Sequence, residues 1–298
     1  MNLKIRNIKE ILSKYNIGVI KNKTLIYDGW NTSYKILTTN GTYILKILNF
    51  QNKKGILMEL DILQRLKNKI PTVFPLKAKN NRKFIYYRNK IIIILPFLKG
   101  KPVLRGERLS SQNLEQFGRY YGIIHTESNL KKIPSKNAYR QVQKVLSNLK
   151  KYPHEYRKIA SAIKLLRVHG FHQANYPRGL IHADLHTENI LVSKECIVAI
   201  LDFEEAHVDY FIYDLGIAIL DTCWKNGAIS QSRVKSFLKG YESVRKLSLL
   251  EKKHLNDAII FAGLYTLHWL IKKNGPKNNK NLEHYVVKRF LSLMNSRN

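Results

Sequence analysis

Cysteine is almost missing from this chain: Cys196 and Cys223 are the only two among 298 residues. Two thiols without CxxC spacing cannot build a disulfide framework or a structural zinc site, and a reducing cytoplasm is the expected location. Long apolar runs are missing too. The longest, "IIIILPFL" and "AIIFAGLYTLHWLI", fall short of the roughly 20 residues that a helix needs to cross a bilayer. The first residues, "MNLKIRNIKEILSKYN", alternate charge with apolar side chains, so neither a signal peptide nor a membrane partner is expected.

Acid is the third scarcity. Asp and Glu total 21 against 52 Lys and Arg, a formal charge of +31. Such an excess suits nucleic acid or an anionic membrane. Lysine dominates it, however, and is spread along nearly every block beside abundant Asn and Ile. No zinc-knuckle spacing, RNP-like run or base-reading basic helix stands out, which argues against a nucleic-acid partner and for compositional bias. With 44% hydrophobic residues, the chain can bury one large core or two lobes.

What is present divides into two parts. From Thr24 to Phe97 the pattern is mostly strand-like. "SYKILTTNGTYILKIL" joins two β-rich runs through Asn40-Gly41, and "FIYYRNKIIIILPF" reads as a second hairpin turning near Asn89. Between them, Ile56, Leu60, Leu63 and Leu66 fall at helical spacing. After "FLKGKPV" the chain becomes mainly helical, over about 111 to 127, 140 to 150, 154 to 170, 211 to 224, 231 to 244, 249 to 273 and 281 to 294, with short strands at "NILV" and "CIVAILDF". The expected organisation is α+β, with a lobe of residues 1–98 holding a small antiparallel sheet and one helix, and a larger helical lobe of residues 99–298.

The scarce acid is also concentrated. Residues 181 to 224 hold nine of the 21 carboxylates, with Lys194 the only Lys or Arg. A divalent cation accounts for that inversion economically, since carboxylates and amide carbonyls are the hard oxygen ligands that magnesium selects. Asp184 and Asp202 are flanked by residues that prefer burial, and a buried carboxylate must be paired or metal-bound. His182, Asp184 and Asn189 form H-x-D-x-x-x-x-N, and Asp202 ends the later strand "VAILD". Kinases use that loop spacing, its aspartate positioning the acceptor hydroxyl and its asparagine binding metal, followed by a strand and a second metal-binding aspartate. Phosphoryl transfer further requires a strand lysine and a helical carboxylate. In "TYILKIL" Lys46 shares a strand face with Ile44 and Leu48, where an ammonium needs an anion, and Glu59 lies on the apolar stripe of the predicted helix. "YDGWNTSYK" has one glycine and small hydroxyl residues where phosphates would be cradled, so backbone amides near Gly29 to Ser33, with Thr32 or Ser33, are the candidates. "LPFL" is the expected hinge, with backbone of Pro96 to Leu98 toward an adenine edge.

"GLIHADLHTENILV…VAILDFEEAHVDYFIYDLGIAI" resembles the core of the aminoglycoside phosphotransferase and choline kinase group of small-molecule kinases, over about Tyr27 to Lys273. The resemblance implies a two-lobed protein-kinase-like fold, ATP and Mg2+ as cofactors, and Asp184 as catalytic base. It further implies Asn189 and Asp202 as magnesium ligands, Lys46 on the ATP phosphates with Glu59 as its ion-pair partner, and Asp214 and His182 as orienting groups for the catalytic loop. "WNTSYKILTTNGTYILKIL", "FGRYYGIIH", "YDLGIAILDTCW" and "KGYESVRKLSLLEKKHL" look most like homoserine kinases of the kinase-fold type. Two departures stand out. His186-Thr187 follows "IHADL" where that type has an aromatic residue and proline, and Glu204 and Glu205 stand where it has aromatic residues. These two acids are acceptor-side candidates that favour a cationic acceptor.

The expected function is therefore an ATP-dependent kinase acting on a hydroxyl of a small metabolite, with homoserine the leading acceptor. The alternatives are an aminoglycoside or choline and amine-alcohol kinase, or, in another class, a kinase-like nucleotide-binding protein without turnover. Oligomeric state is not legible in the sequence.

Overall fold

The computed structural model describes residues 5–104, 108–131, 133–140, 142, 153–194 and 196–274. The helix expected over 140 to 150 lies almost wholly outside these residues, and the one over 281 to 294 wholly so. Among the described residues the chain forms two compact units. One is built from the chain up to Lys101 together with Val198–Glu204, the other from Pro102–Ile197 together with the chain from Glu205 onward.

In the first unit, β1 (Ile20–Asp28), β2 (Thr32–Thr38), β3 (Gly41–Leu48), β4 (Ile85–Tyr87) and β5 (Lys90–Pro96) form one antiparallel sheet in the order β1-β2-β3-β5-β4. The hairpins turn where the sequence indicates. Thr38 pairs with Gly41, whose φ of 145° few side chains would tolerate, and Arg88 and Asn89 both take positive φ (47° and 60°), as a two-residue turn of the mirror-image type requires. Alternation then sorts the side chains. Tyr34, Ile36, Leu45, Ile47, Ile92 and Ile94 pack with Ile8, Ile11 and Leu12 of α1 (Ile5–Leu12). Leu48, Ile91 and Ile93 point the other way, onto Ile56 of α2 (Lys53–Leu66). Lys46, in phase with Leu48, is thereby delivered to the α2 face. Helix α2 starts at Asn52, whose side chain accepts the Gly55 N–H at 3.0 Å. The short α1 was not expected, because its apolar residues alternate with charge over only two turns. Val198–Glu204 is fastened to this unit by the Ile200 N–H donating to the Pro71 carbonyl at 2.8 Å.

The second unit is mainly helical. Helix α3 (Ser111–His125) is capped by Ser110, and helices Pro153–Val168, Phe211–Thr222, Gln231–Glu242 and Leu249–Asn274 follow the expected ranges within a few residues. A two-stranded antiparallel ribbon of Arg178–Ile181 and His207–Tyr210 was not expected, since four-residue strands leave little periodicity to detect. No helix of the described residues is long and apolar enough to cross a membrane.

Helix α3 and helix Gln231–Glu242 meet backbone to backbone. A Cβ on Gly118 would overlap the Phe237 carbonyl, and one on Gly240 would overlap the Glu115 carbonyl. Each glycine opens room for the other helix, and neither clash involves a side chain that can swing away. Gly240→Ala should therefore destabilise the protein by about 1–3 kcal/mol, the usual cost of overpacking. A urea midpoint equal to that of the wild type would show that the helices can separate freely.

Candidate active site

In the first unit the charges converge on Lys46. Its Nζ lies 3.0 Å from Asp202 Oδ1, with both side chains largely covered. Burial alone would discharge this ammonium, but Asp202, Glu59 and Glu204 outweigh that penalty and hold it above the usual lysine range. Glu59 is buried, accepts from Gln51 Nε2 at 3.0 Å, and is bonded by the Phe203 backbone N–H. Burial pushes its carboxyl up, against the pull of Lys46. The carboxylate in direct contact with the lysine is thus that of Asp202, whereas Glu59 spends its oxygens on Gln51 and on the backbone next to Asp202. Asp202 itself takes a φ of +66°, a conformation that a non-glycine residue holds only when its surroundings enforce it.

The turn before β2 is built by amides. Asn31 donates to both oxygens of Glu204 at 3.1 Å and accepts the Asn49 N–H at 3.2 Å. Asn49 in turn donates to the Trp30 carbonyl and to Thr32 Oγ1. The Thr32 hydroxyl, fully buried, donates to Asp28 at 2.8 Å, so it is committed to bracing the turn. Ser33 is buried cross-strand from Lys46. The Gly29 N–H closes onto the Asn31 carbonyl. Pro96 ends β5 opposite Tyr43, the Phe97 N–H donates to the Thr42 carbonyl, and the Leu98 carbonyl accepts from Gly100. Asn31, Asn49 and Gln51 were missed in the sequence; polar amides at strand ends carry no periodic signal.

In the second unit the ribbon strand Arg178–Ile181 runs directly into the H-x-D loop. Ala183 takes a φ of +66°, and the strained backbone is held by Asp214, which is sealed from solvent. Its Oδ2 accepts the His182 N–H and its Oδ1 the Ala183 N–H, both at 2.9 Å. Burial opposes its charge, but these donors and His125 hold its carboxyl below the ordinary range. His182 is buried, with Nδ1 facing the Asp184 N–H at 3.4 Å. Asp184 is about half exposed and 3.8 Å from His186 Nε2. Asn189 donates through Nδ2 to the Asp184 carbonyl at 2.8 Å. With the nitrogen spent there, the amide oxygen is the atom left to meet a cation. His125, Tyr241 and Arg245, which connect to Asp214, lie in "FGRYYGIIH" and "KGYESVRKLSLLEKKHL", stretches distinctive enough to have pointed to them.

The two adjacent acids part company. Glu204 belongs to the Lys46 cluster, while Glu205 belongs to the second unit and pairs with Lys136 at 2.9 Å. Among the described residues no group of three or more His, Cys, Asp or Glu side chains is placed to hold a metal ion by itself.

The class of protein is set by comparison with known chains. Residues 24–247 match the model of the phosphotransferase enzyme family, and the chain belongs to that family. It is an ATP-dependent small-molecule kinase. A homoserine kinase of Methylobacillus flagellatus is 25% identical over 248 residues, covering 81% of this chain and 76% of that one. A homoserine kinase of Sinorhizobium fredii is 25% identical over 303 residues, covering 94% and 90%. Among solved structures, a spectinomycin phosphotransferase in complex with ADP and spectinomycin superposes with a TM-score of 0.74 at 16% identity, over 98% of this chain and 94% of its own. A microcompartment-associated aminopropanol kinase gives 0.71 at 17% identity, over 97% and 95%. The expected kinase-like α+β fold, with a sheet-bearing and a larger helical part, is the one found.

Burial, with the neighbouring Asp202 charge, pushes the Glu204 carboxyl from 4.5 up to about 7, against the pull of Lys46 and Asn31. A carboxyl whose pKa is higher folded than unfolded favours the fold in its protonated form. Its contribution is complete below about pH 4.5 and lost as the pH rises to about 7. Glu59, raised by burial, acts in the same sense. Glu204→Gln should therefore flatten part of the fall in thermal midpoint across that window. A midpoint profile identical to the wild type would mean that Glu204 titrates as an ordinary surface acid.

Proposed function

We propose that this kinase phosphorylates the hydroxyl of a small metabolite that carries a carboxylate, with homoserine the first acceptor to test. The observation that carries the reaction is the His182–Asn189 loop. Its backbone is gripped by a buried carboxylate, its amide side chain is tied to the Asp184 carbonyl, and the carboxylate of Asp184 stands about half exposed directly after the gripped His182 and Ala183.

In this reading Asp184 orients the acceptor hydroxyl and receives its proton. Lys46, kept charged among Asp202, Glu59 and Glu204, neutralises charge on the phosphates of ATP. Glu59 serves this lysine through its field and through the backbone of Phe203 rather than by direct pairing. Backbone amides from Gly29 to Ser33 face the phosphates, with Ser33 rather than Thr32 as the hydroxyl, and the backbone of Pro96 to Leu98 meets the adenine edge. Asn189 and Asp202 are the residues proposed to hold magnesium, and the donor chemistry of each suits it: magnesium takes hard oxygens and is commonly held by one or two protein groups together with substrate phosphates. When bound it supplies charge neutralisation to the transferring phosphoryl group.

The homoserine kinase relatives support the acceptor assignment, and so does one contact. Glu205, which as a lone anion would favour a polycationic antibiotic, is paired with Lys136. The antibiotic and amine-alcohol kinases among the structural neighbours keep those acceptors as the second reading.

Magnesium-dependent ADP release should be measured with homoserine, choline, ethanolamine, methylthioribose and several aminoglycosides. Homoserine should drive turnover, and Asp184→Asn should reduce it by roughly 10²–10⁴-fold, the usual contribution of a positioned base, with ATP binding retained. Turnover with an antibiotic alone would overturn the acceptor. Binding of magnesium-ATP without turnover on any acceptor would mark a kinase-like binding protein instead.

A further inference from the structure

Among the acids of the concentrated stretch that have no part in the proposed reaction, Asp221 makes a contact to the H-x-D loop. Asp221 Oδ2 accepts the Thr187 N–H at 2.6 Å. Thr187 opens the single turn Thr187–Asn189 that ends in Asn189, and the Asn189 N–H closes that turn onto the His186 carbonyl at 3.0 Å. Asp221 therefore grips the far end of the loop whose near end, His182 and Ala183, is gripped by Asp214.

The two acids are seven residues apart on one helix, Phe211–Thr222. Seven residues make almost two turns, so both side chains leave the same face about 10 Å apart along the axis. Gly216, two residues after Asp214, lies on the opposite face, where a Cβ would overlap the Ala258 carbonyl of helix Leu249–Asn274. The helix is pressed against a neighbour on one side and holds the loop at two points on the other. Between those points the Tyr121 hydroxyl reaches the Leu185 carbonyl at 3.5 Å. Burial and the carboxylates of Asp214, Asp221 and Asp184 around this phenol keep it protonated far above its ordinary range, which fits a donor fixed amid all three acids.

We infer that Asp221 is a positioning residue for the Asn189 turn, separate from the brace that Asp214 gives to Asp184. The inference rests on the reading of Asn189 as a magnesium ligand. Asp214 sets where the hydroxyl-orienting acid sits, and Asp221 sets where the metal-facing amide sits. Losing Asp221 should then be felt in metal affinity, not in the binding of metal-free nucleotide.

The test is the affinity of Mn2+, read by its electron paramagnetic resonance signal, for the protein saturated with ADP, alongside calorimetric ADP binding in chelator. Three proteins are compared: wild type, Asp221→Ala and Asp221→Asn. Asp221→Ala should weaken Mn2+ binding by about 10–100-fold, as loss of a group behind a metal ligand commonly does. Asp221→Asn, which keeps an oxygen acceptor, should recover part of the loss, and metal-free ADP binding should stay unchanged in all. Wild-type Mn2+ affinity in Asp221→Ala, or an equal loss of metal-free ADP binding, would overturn the positioning role. If the wild type itself binds no Mn2+ beside ADP, the reading of Asn189 fails and takes this inference with it.

Discussion

A carboxylate with no access to water is the constraint on which the second unit depends. Asp214 cannot be solvated, so its charge must be met by donors of fixed geometry. Two are backbone N–H groups of the loop, and their capture holds Ala183 in a left-handed conformation that it would not otherwise keep. Another is His125, whose Nε2 lies 3.2 Å away. The direction of that contact is fixed from farther off. Arg245, which can only donate, reaches the Tyr241 hydroxyl at 2.7 Å, so the tyrosine spends its own proton on His125 Nδ1 at 2.8 Å. His125 must then carry its proton on Nε2, facing the carboxylate. A side chain on the segment after helix Gln231–Glu242 thus decides the tautomer of a histidine on α3, and through it the satisfaction of the acid beneath the loop.

The first unit solves the opposite problem, a buried cation. Three carboxylates surround Lys46; burial, helped by the Asp202 charge, raises two of them, Glu59 and Glu204, while the ammonium stays charged. An excess of acid around one lysine is a poor arrangement for a closed core. It suits a place where further positive charge completes the balance.

Much of this was legible. The sheet could be read because alternation and the turn residues Gly41 and Asn89 agree on one register, and the large helices because their stripes are long. Lys46 and Glu59 were visible as charges on faces otherwise apolar, and Asp184, Asn189 and Asp202 by their spacing. Less legible was what each charge touches. Sequence spacing places Glu59 near Lys46 but cannot reveal that Asp202, 156 positions later, takes the direct contact. Neither can it separate Glu204 from Glu205, neighbours in the chain whose partners, Asn31 and Lys136, lie in different units. Asn31 and Asn49 were invisible because a bracing amide is defined by its bonds and not by its period. The ribbon of Arg178–Ile181 and His207–Tyr210 was hidden by its brevity.

The assignment of Val198–Glu204 to the first unit has a bearing on how the protein is made. Synthesis proceeds from the N-terminus, and domains fold as their residues emerge. Here the sheet and its helices are complete by about Lys101, yet the Lys46 partner Asp202 and the Phe203 N–H that Glu59 accepts come from residues translated roughly a hundred positions later. Until then the Lys46 ammonium lacks its Asp202 partner, and Glu59 lacks the Phe203 N–H. The nascent first unit is therefore left incomplete at Lys46 and Glu59, and its charge cluster closes only after the H-x-D loop has been synthesised.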